Sequence, residues 1–174
     1  MGEGDASHSA GARETARGSV APEAIHASRA PEAIHSSRAP EAIHSSRAPE
    51  AVGAYPHAKR AGQFVFLSGV GPRQLGSKVI PGVDPFDFER QCRACFENVK
   101  LVVADAGLPW LSVVDVTVFL TNMKRDFAVY NRIYAECFAG EGNPNPARTT
   151  VEVLGLPTPI AVEVKAICVV PPSA

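Results

Sequence analysis

The sequence predicts a single α+β domain in which two helices cover one face of a β-sheet. Two stretches, 88–106 and 126–138, carry apolar residues at helical spacing. Segments rich in β-branched and aromatic residues, bounded by glycine and proline, lie before, between and after them. The predicted order is therefore two strands, a helix, a strand, a second helix and two closing strands.

The first predicted elements are a pair of strands and a long loop. GQFVFLSG at 62–69 has the composition of a strand, and the segment 55–60 is its candidate partner. The stretch GVGPRQLGSKVIPGV at 69–83 is predicted to be a loop because of its glycines and prolines.

The first helix is predicted to begin after Asp87, a good N-cap residue, and to end at Gly107. Its apolar residues recur every three or four positions, the pattern of a helix with one buried face. Every second residue from 114 to 120 is then aliphatic, which predicts a half-buried strand.

The second helix is predicted to begin at Asp126, and the segment 140–147 to form a loop. Two closing strands, at about 148–154 and 160–170, are separated by the turn GLPTP. This turn does not determine the register of a hairpin, so the sequence leaves open which of their faces coincide. Few polar residues alternate on the sheet face without helices, and we expect an oligomer to bury it.

A tandem repeat of nine residues precedes the domain. APEAIHASR begins at residue 21, two copies of APEAIHSSR follow up to residue 47, and APEAVGAYP then starts the same way. The unit is shorter than the roughly 20 residues that a solenoid repeat needs. We expect residues 1–50 to form a disordered extension and residues 51–174 to form the folded domain.

Composition excludes several classes of function. The 174 residues are 45% hydrophobic and carry a net charge of −1, which does not favour binding to nucleic acid or to a membrane surface. The chain has no apolar run near the roughly 20 residues of a membrane span, and its N-terminus lacks the apolar region of a signal peptide. A cytoplasmic location is expected.

Cysteine and histidine do not predict a metal site. The chain has four cysteines: Cys92, Cys95, Cys137 and Cys168. Cys92 and Cys95 form a CxxC motif, but both fall on the apolar side of the first helix, so we expect them to be buried. The repeated His26, His35 and His44 have no partner cysteines near them.

Arg148 and Glu163 are the strongest candidates for chemistry. An arginine binds a carboxylate through two parallel hydrogen bonds, and a glutamate can hold or activate a water. If Thr150 pairs opposite Glu163, all three residues share one surface. The alternative is an exposed ladder of ion pairs, which stabilises a protein little.

Further candidates lie elsewhere in the chain. Tyr55 suits either a binding cleft or the core, and Asn131 suits either a tertiary contact or a solvated helix surface. Arg73 and Lys78 lie in the glycine-rich loop, which is typical of a binding segment. The loop matches no phosphate-binding motif, and His57 is the only histidine of the folded region, so no Ser-His-Asp triad is predicted.

Five motifs carry a family resemblance: FLSG at 66–69, DVTVFLTNM at 115–123, YNRIYAECF at 130–138, PARTTVEVLGLP at 146–157 and AVEVKAICV at 161–169. On these motifs the chain, from about residue 48 to residue 170, resembles the RidA/YjgF family of enamine/imine deaminases.

The resemblance implies a chorismate-mutase-like α+β fold and a homotrimer whose sheets form a central barrel. It also implies active sites between subunits, with no metal and no organic cofactor. By the same resemblance, Arg148 holds the substrate carboxylate and Glu163 positions the attacking water. The other cleft residues that it implies are Tyr55, Gly69, Asn131 and Thr150, the last of which stands where many members have cysteine.

The loop at 69–83 is longer and more basic than in most members, and Val70 stands where glutamine is common. With APEAVGAYPHAKR, it is similar to the 2-aminomuconate deaminases of aromatic-compound degradation. This finer resemblance implies hydrolysis of 2-aminomuconate, a dicarboxylate, to 4-oxalocrotonate and ammonia. Arg73 or Lys78 is then the candidate partner of the second carboxylate.

Three other functions are compatible with the fold. The chain resembles general deaminases of 2-aminoacrylate, and the fold also occurs in non-catalytic trimers that bind small ligands. The presence of both Arg148 and Glu163 favours catalysis. Ribonuclease activity, attached to some relatives, is disfavoured by the near-neutral charge.

Overall fold

The computed structural model of the protein describes residues 39–139 and 144–172. These residues form strands β1 (Glu41–Ile43), β2 (Ala58–Ala61), β3 (Phe64–Leu67), β4 (Val113–Leu120), β5 (Ala147–Glu152) and β6 (Val162–Val169), and helices α1 (Phe88–Asp105) and α2 (Met123–Phe138). The predicted α+β class is confirmed. The part of the predicted disordered extension that precedes residue 39 lies outside the described residues.

The six strands form one mixed sheet in the order β1-β2-β3-β6-β4-β5. All neighbouring pairs are antiparallel except β4 and β5, which are parallel and connected through α2. The closing strands are therefore not a hairpin, because β4 lies between β5 and β6. A parallel pair needs a crossover connection, and the sequence alone does not distinguish that arrangement from a hairpin.

Both helices contact one face of the sheet. On β4 the side chains of Val116, Val118 and Leu120 are buried beneath them, while the residues between these point to the other face. That open face exposes large apolar side chains, including Phe64 and Phe66, each 39% accessible. No helix among the described residues is both long and apolar enough to cross a membrane.

Local capping signals explain the bounds of both helices. Asp87 caps α1 as predicted, with its side chain accepting a hydrogen bond from the Arg90 amide. The helix α2 begins at Met123, earlier than predicted, because the Asn122 side chain accepts from the Arg125 amide and acts as the N-cap. Asp126 lies inside the first turn, buried and paired with Arg125.

An aromatic cluster fills the space between the helices and the sheet. Phe96 of α1 stacks parallel to Tyr130 of α2 with ring centroids 6.5 Å apart, and it meets Tyr134 and Phe138 edge-on. Trp110 stacks on Phe138 at 4.7 Å and donates a hydrogen bond to the Cys137 carbonyl. The predicted burial of Cys92 and Cys95 in α1 is confirmed, and burial raises the pKa of the Cys92 thiol to about 12.

The boundary predicted at residue 50 is corrected by the structure. Residues 41–43, in the last full repeat copy, form the edge strand β1 and pair with β2. Ala48 is only 2% accessible and belongs to the hydrophobic core. Hydrogen bonding to a sheet edge supplies order that the polar, proline-containing sequence does not predict by itself.

Polar contacts attach this segment, residues 39–50, to the domain. Asp105, at the end of α1, accepts hydrogen bonds from the Ser45 hydroxyl and forms an ion pair with Arg47. The Ser45 amide donates to Nδ1 of His57, whose Nε2 lies 2.9 Å from the Pro49 carbonyl. We name residues 39–50 the docked segment.

Candidate functional site

Glu163 lies on the open face of the sheet. Its neighbours Val162 and Val164 on β6 are buried under the helices, so Glu163 points to the opposite side. A backbone bridge between Val70 and Val164 brings Gly69 against it. A Cβ atom at Gly69 would collide with Oε1 of Glu163, so glycine is the residue that lets the carboxylate approach the backbone this closely.

The environment of Glu163 makes it a better proton acceptor than an ordinary glutamate. Its side chain is half-buried, and burial raises the pKa of its carboxyl group. Among the described residues no side chain forms a hydrogen bond or ion pair with it. A half-buried carboxylate without a protein partner is suited to hold and polarise a water.

Tyr55, Gly69 and Arg73 join Glu163 around one small cavity. A larger open depression of about 480 Å³ lies beside it on the open face. Its lining combines charged and aromatic side chains: Tyr55, Lys59, Phe66, Glu163 and Lys165. Lys59 and Lys165 were not singled out from the sequence.

Arg73 is held by the backbone around it. Its guanidinium donates to the Glu50 carbonyl of the docked segment. Nδ2 of Asn98 donates to the carbonyls of Gly71 and of Arg73 itself, both at 2.8 Å, and so fixes the glycine-rich loop on α1. Lys78 lines a neighbouring surface depression together with Arg73. The two predicted cations of the loop therefore line the same depression.

Arg148 lies on the helix face, among residues of α2. Its Nη1 donates a hydrogen bond of 2.8 Å to Oδ1 of Asn131. Its guanidinium carbon stands 4.6 Å from the ring centroid of Tyr134 and 5.5 Å from that of Tyr130. The Thr150 hydroxyl, two residues further on the same face, lies 3.5 Å from the Tyr130 hydroxyl. Arg148, Asn131 and Thr150 therefore lie together at the surface of the chain.

The predicted site is divided between the two faces of the sheet. Arg148 pairs with Val116 of β4, whose side chain is on the helix face. Glu163 pairs with Phe119, whose side chain is on the open face. Thr150 pairs with Val118 and does not stand opposite Glu163. A single chain therefore does not bring Arg148 and Glu163 together.

Tyr130 and Tyr134 lie in the stretch 126–138 that was predicted to be a helix, and the sequence analysis did not connect them with Arg148. The i, i+4 spacing of these two tyrosines predicts that they share a helix side, with Asn131 beside them. Their contact with Arg148 depends on how α2 lies across β5, which the sequence does not give.

Comparison with known families gives one model match. A family model described as Endoribonuclease L-PSP matches residues 45–170, which is most of the chain. The match begins inside the docked segment, in agreement with the folded position of that segment in the structure.

Over the aligned residues, curated relatives are more than a third identical to the chain. A RutC family protein of Pyrococcus horikoshii is 38% identical over 116 residues, which cover 66% of this chain and 86% of that protein. TdcF of Escherichia coli, a protein named for reactive intermediate deamination, is 37% identical over 119 residues, which cover 67% of this chain and 87% of TdcF.

Solved structures agree with this match. A crystal structure of Escherichia coli TdcF with bound serine is 36% identical to the chain, with a TM-score of 0.67. The match covers 74% of this chain and 98% of TdcF. The YjgF gene product of Escherichia coli gives the same TM-score and coverage at 33% identity.

Proposed function

Since this chain belongs to the RidA/YjgF/RutC family, we propose that it is a hydrolytic deaminase of enamines and imines that needs neither a metal nor an organic cofactor. The observation that carries the proposal is that the chain holds a carboxylate and a guanidinium in defined positions. Glu163 is a half-buried carboxylate of raised pKa that stands against Gly69. Arg148 is a guanidinium whose direction is set by α2.

The active site combines two copies of the chain. Arg148 and Glu163 lie on opposite faces of one sheet, so a site that uses both needs Glu163 from one copy and Arg148 from a neighbour. The open face exposes apolar side chains such as Phe64 and Phe66, whose burial favours association. A homotrimer with one site at each interface satisfies both requirements.

The reaction needs only groups that this chain provides. Arg148 binds the substrate carboxylate next to the carbon that carries the nitrogen. The enamine tautomerises to the imine, with an N–H proton lost as a proton is added at carbon. Glu163 accepts a proton from water as the water oxygen bonds to the imine carbon, forming a carbinolamine. Glu163 returns this proton to the nitrogen, and the hydroxyl proton passes to the nitrogen as the C–N bond breaks, so ammonia leaves and a carbonyl group remains.

The finer proposal is that the substrate is 2-aminomuconate and the product 4-oxalocrotonate. This substrate carries two carboxylates, and its second one needs a second cation. Arg73 lines the same cavity as Glu163 and Tyr55, with Lys78 beside it. The proposal therefore assigns the second carboxylate to Arg73, and to Lys78 if the substrate extends further into the loop.

The second candidate substrate is 2-aminoacrylate, a three-carbon monocarboxylate. The observation that favours it is the serine in the TdcF relative, since serine has the same carbon skeleton. A monocarboxylate needs Arg148 but no second cation. The two substrates therefore make different demands on Arg73.

The test compares deamination of 2-aminomuconate and 2-aminoacrylate by the wild type, Arg148→Ala and Arg73→Ala, with ammonia release as the readout. Loss of the carboxylate contact in Arg148→Ala is expected to lower kcat/KM on both substrates by about 30-fold or more. Arg73→Ala is expected to raise KM for 2-aminomuconate about tenfold and to leave 2-aminoacrylate unchanged.

Arg90→Ala is the matched control, because Arg90 is an exposed arginine on α1 away from these residues. Equal effects of Arg73→Ala on both substrates would remove the assignment of Arg73. Absence of 2-aminomuconate turnover alongside active 2-aminoacrylate turnover would make the general deaminase the correct function. No turnover of either substrate by the wild type would contradict the enzyme proposal itself.

A further inference from the structure

Tyr134 makes two different contacts with the strand that carries Arg148. Its ring lies under the guanidinium, with 4.6 Å from the guanidinium carbon to the ring centroid. This distance is within the range of a cation–π contact, and it is shorter than the 5.5 Å to Tyr130. The contact favours one orientation of the guanidinium plane over the others that a flexible arginine can adopt.

The second contact is to the backbone. The Tyr134 hydroxyl donates a hydrogen bond of 3.1 Å to the Pro146 carbonyl, directly before β5 begins. Proline at 146 has no amide hydrogen, so its carbonyl is the only backbone hydrogen-bonding group of that residue. The bond therefore fixes the position of the start of β5 relative to α2, two residues before Arg148.

Tyr134 is itself held rigidly. It is 6% accessible, and its ring packs at 4.7 Å from Phe138, with Phe96 edge-on at 6.4 Å. A residue confined in this way cannot follow a side chain that moves. It holds Arg148 in one position, and this reduces the conformational entropy that Arg148 loses when the substrate binds.

The hydroxyl of Tyr134 is not available for proton transfer. It is directed at the Pro146 carbonyl, and burial raises the pKa of its phenol. Asn131 fixes the Nη1 end of Arg148 at 2.8 Å. This bond uses one N–H of the guanidinium, and its remaining N–H groups suit the two oxygens of a carboxylate.

We propose that Tyr134 is the positioning residue for Arg148, with its ring orienting the guanidinium and its hydroxyl setting the start of β5. The proposal rests on the function assigned to Arg148, namely binding of the substrate carboxylate. Tyr134 is not among the site residues predicted from the sequence. The roles of its ring and of its hydroxyl can be tested separately. Replacement by phenylalanine removes only the hydroxyl, and replacement by leucine removes the aromatic ring as well.

The experiment compares Tyr134→Leu and Tyr134→Phe with the wild type, using the better of the two carboxylate-bearing substrates. Tyr134→Leu is expected to raise KM about tenfold with a smaller change in kcat, since a lost cation–π contact weakens carboxylate binding by about that factor. Tyr134→Phe keeps the ring and is expected to stay within about threefold of the wild-type KM. Rescue by phenylalanine distinguishes orientation of Arg148 from a general packing defect.

A readout independent of turnover accompanies the kinetics. The NMR signal of the Arg148 Nε–H group, assigned by its disappearance in Arg148→Ala, should be shifted upfield by the ring in the wild type and in Tyr134→Phe. It should move toward the usual arginine position in Tyr134→Leu. Tyr134→Met is the second variant if leucine prevents folding, because methionine fills space flexibly without an aromatic ring.

The outcomes separate this inference from the proposed function. An unchanged Arg148 signal and an unchanged KM in the folded leucine or methionine variant would overturn the positioning role while leaving the deaminase proposal intact. A displaced signal in an enzyme whose turnover does not depend on Arg148 would support the positioning and refute the proposed function of Arg148. An equal increase in KM in Tyr134→Phe and Tyr134→Leu would also show that the ring does not orient Arg148.

Discussion

At the scale of single residues, the position of Glu163 on the open face makes its carboxylate more basic and lowers the stability of the fold. Glu163 is half-buried, and burial raises the pKa of its carboxyl group. The folded protein therefore binds more protons at this site than the unfolded chain does, between the ordinary glutamate pKa of about 4.3 and the raised value. Stability contributed by this group falls as pH rises through that interval.

Glu163→Gln follows as the first prediction. The amide has nearly the same shape but cannot accept a proton, so we expect kcat/KM to fall about 10²- to 10⁴-fold. Because glutamine is neutral, the variant should be somewhat more stable to urea than the wild type at neutral pH, and the difference should disappear in acid. Activity and urea unfolding measured from pH 4 to pH 8 test both parts.

The pH profile provides a further constraint on the same residue. The proposed mechanism needs the ionised carboxylate, so wild-type activity should decline as pH falls through the raised pKa, at a higher pH than an ordinary glutamate gives. A Glu163→Gln protein with wild-type turnover, or one less stable than the wild type at neutral pH, would contradict the role of Glu163 as a buried proton acceptor.

The sequence made Arg148 and Glu163 candidates, because their residue types and the motifs around them resemble a known family. It was not sufficient to find Tyr134. That residue fits the apolar period of α2, and its relation to Arg148 depends on the angle and height of the helix over β5. The spacing of residues along the sequence does not predict this tertiary geometry.

At the scale of elements, the docked segment is the part that departs most from expectation. Its strand β1 has only three residues and lies at the sheet edge. Its attachment depends on Asp105, which contacts both Ser45 and Arg47. The Arg47 guanidinium and the Ser45 hydroxyl hold the pKa of the Asp105 carboxyl below its usual range.

Asp105→Asn is therefore expected to loosen the docked segment without unfolding the domain. Loss of the charged acceptor should increase hydrogen exchange of the Ser45 and Ala48 amides about tenfold or more, since the first donates to His57 and the second to the Ser45 hydroxyl that Asp105 holds. Exchange at α1 should change little. The wild type should show the same loosening as pH falls through the lowered pKa of Asp105, where the carboxylate is protonated.

Glu97→Gln is the control, because Glu97 forms an exposed ion pair on α1 with Lys100 and does not contact the segment. Unchanged amide exchange in Asp105→Asn would show that strand pairing with β2 alone holds the segment in place.

Elements with local signals were predictable, and elements that depend on distant pairing were not. The helix α1 has its cap at Asp87 and a glycine with φ +73° at Gly107, so both of its ends are visible in the sequence. The pairing of β5 with β4 has no such local signal. The order of the last two strands was therefore predicted as a hairpin, although β4 lies between them.

At the scale of the whole molecule, the proposed mechanism requires that copies of the chain assemble. Arg148 belongs to the helix face and Glu163 to the open face, and no rotation of either side chain crosses the sheet. If each site takes one residue from each of two neighbours in a ring, then the interface is heterologous and every copy contributes to two sites.

Mixing two inactive variants tests this arrangement. Arg148→Ala and Glu163→Gln chains, unfolded together at equal amounts and refolded, can form a complete site wherever an intact Arg148 meets an intact Glu163 on a neighbour. Random assembly gives this combination at about one site in four, so about a quarter of wild-type activity should return. Each variant refolded alone should stay inactive. Mixed oligomers that assemble to the expected mass but recover no activity would show that both residues act within one copy, or that one of them is not used.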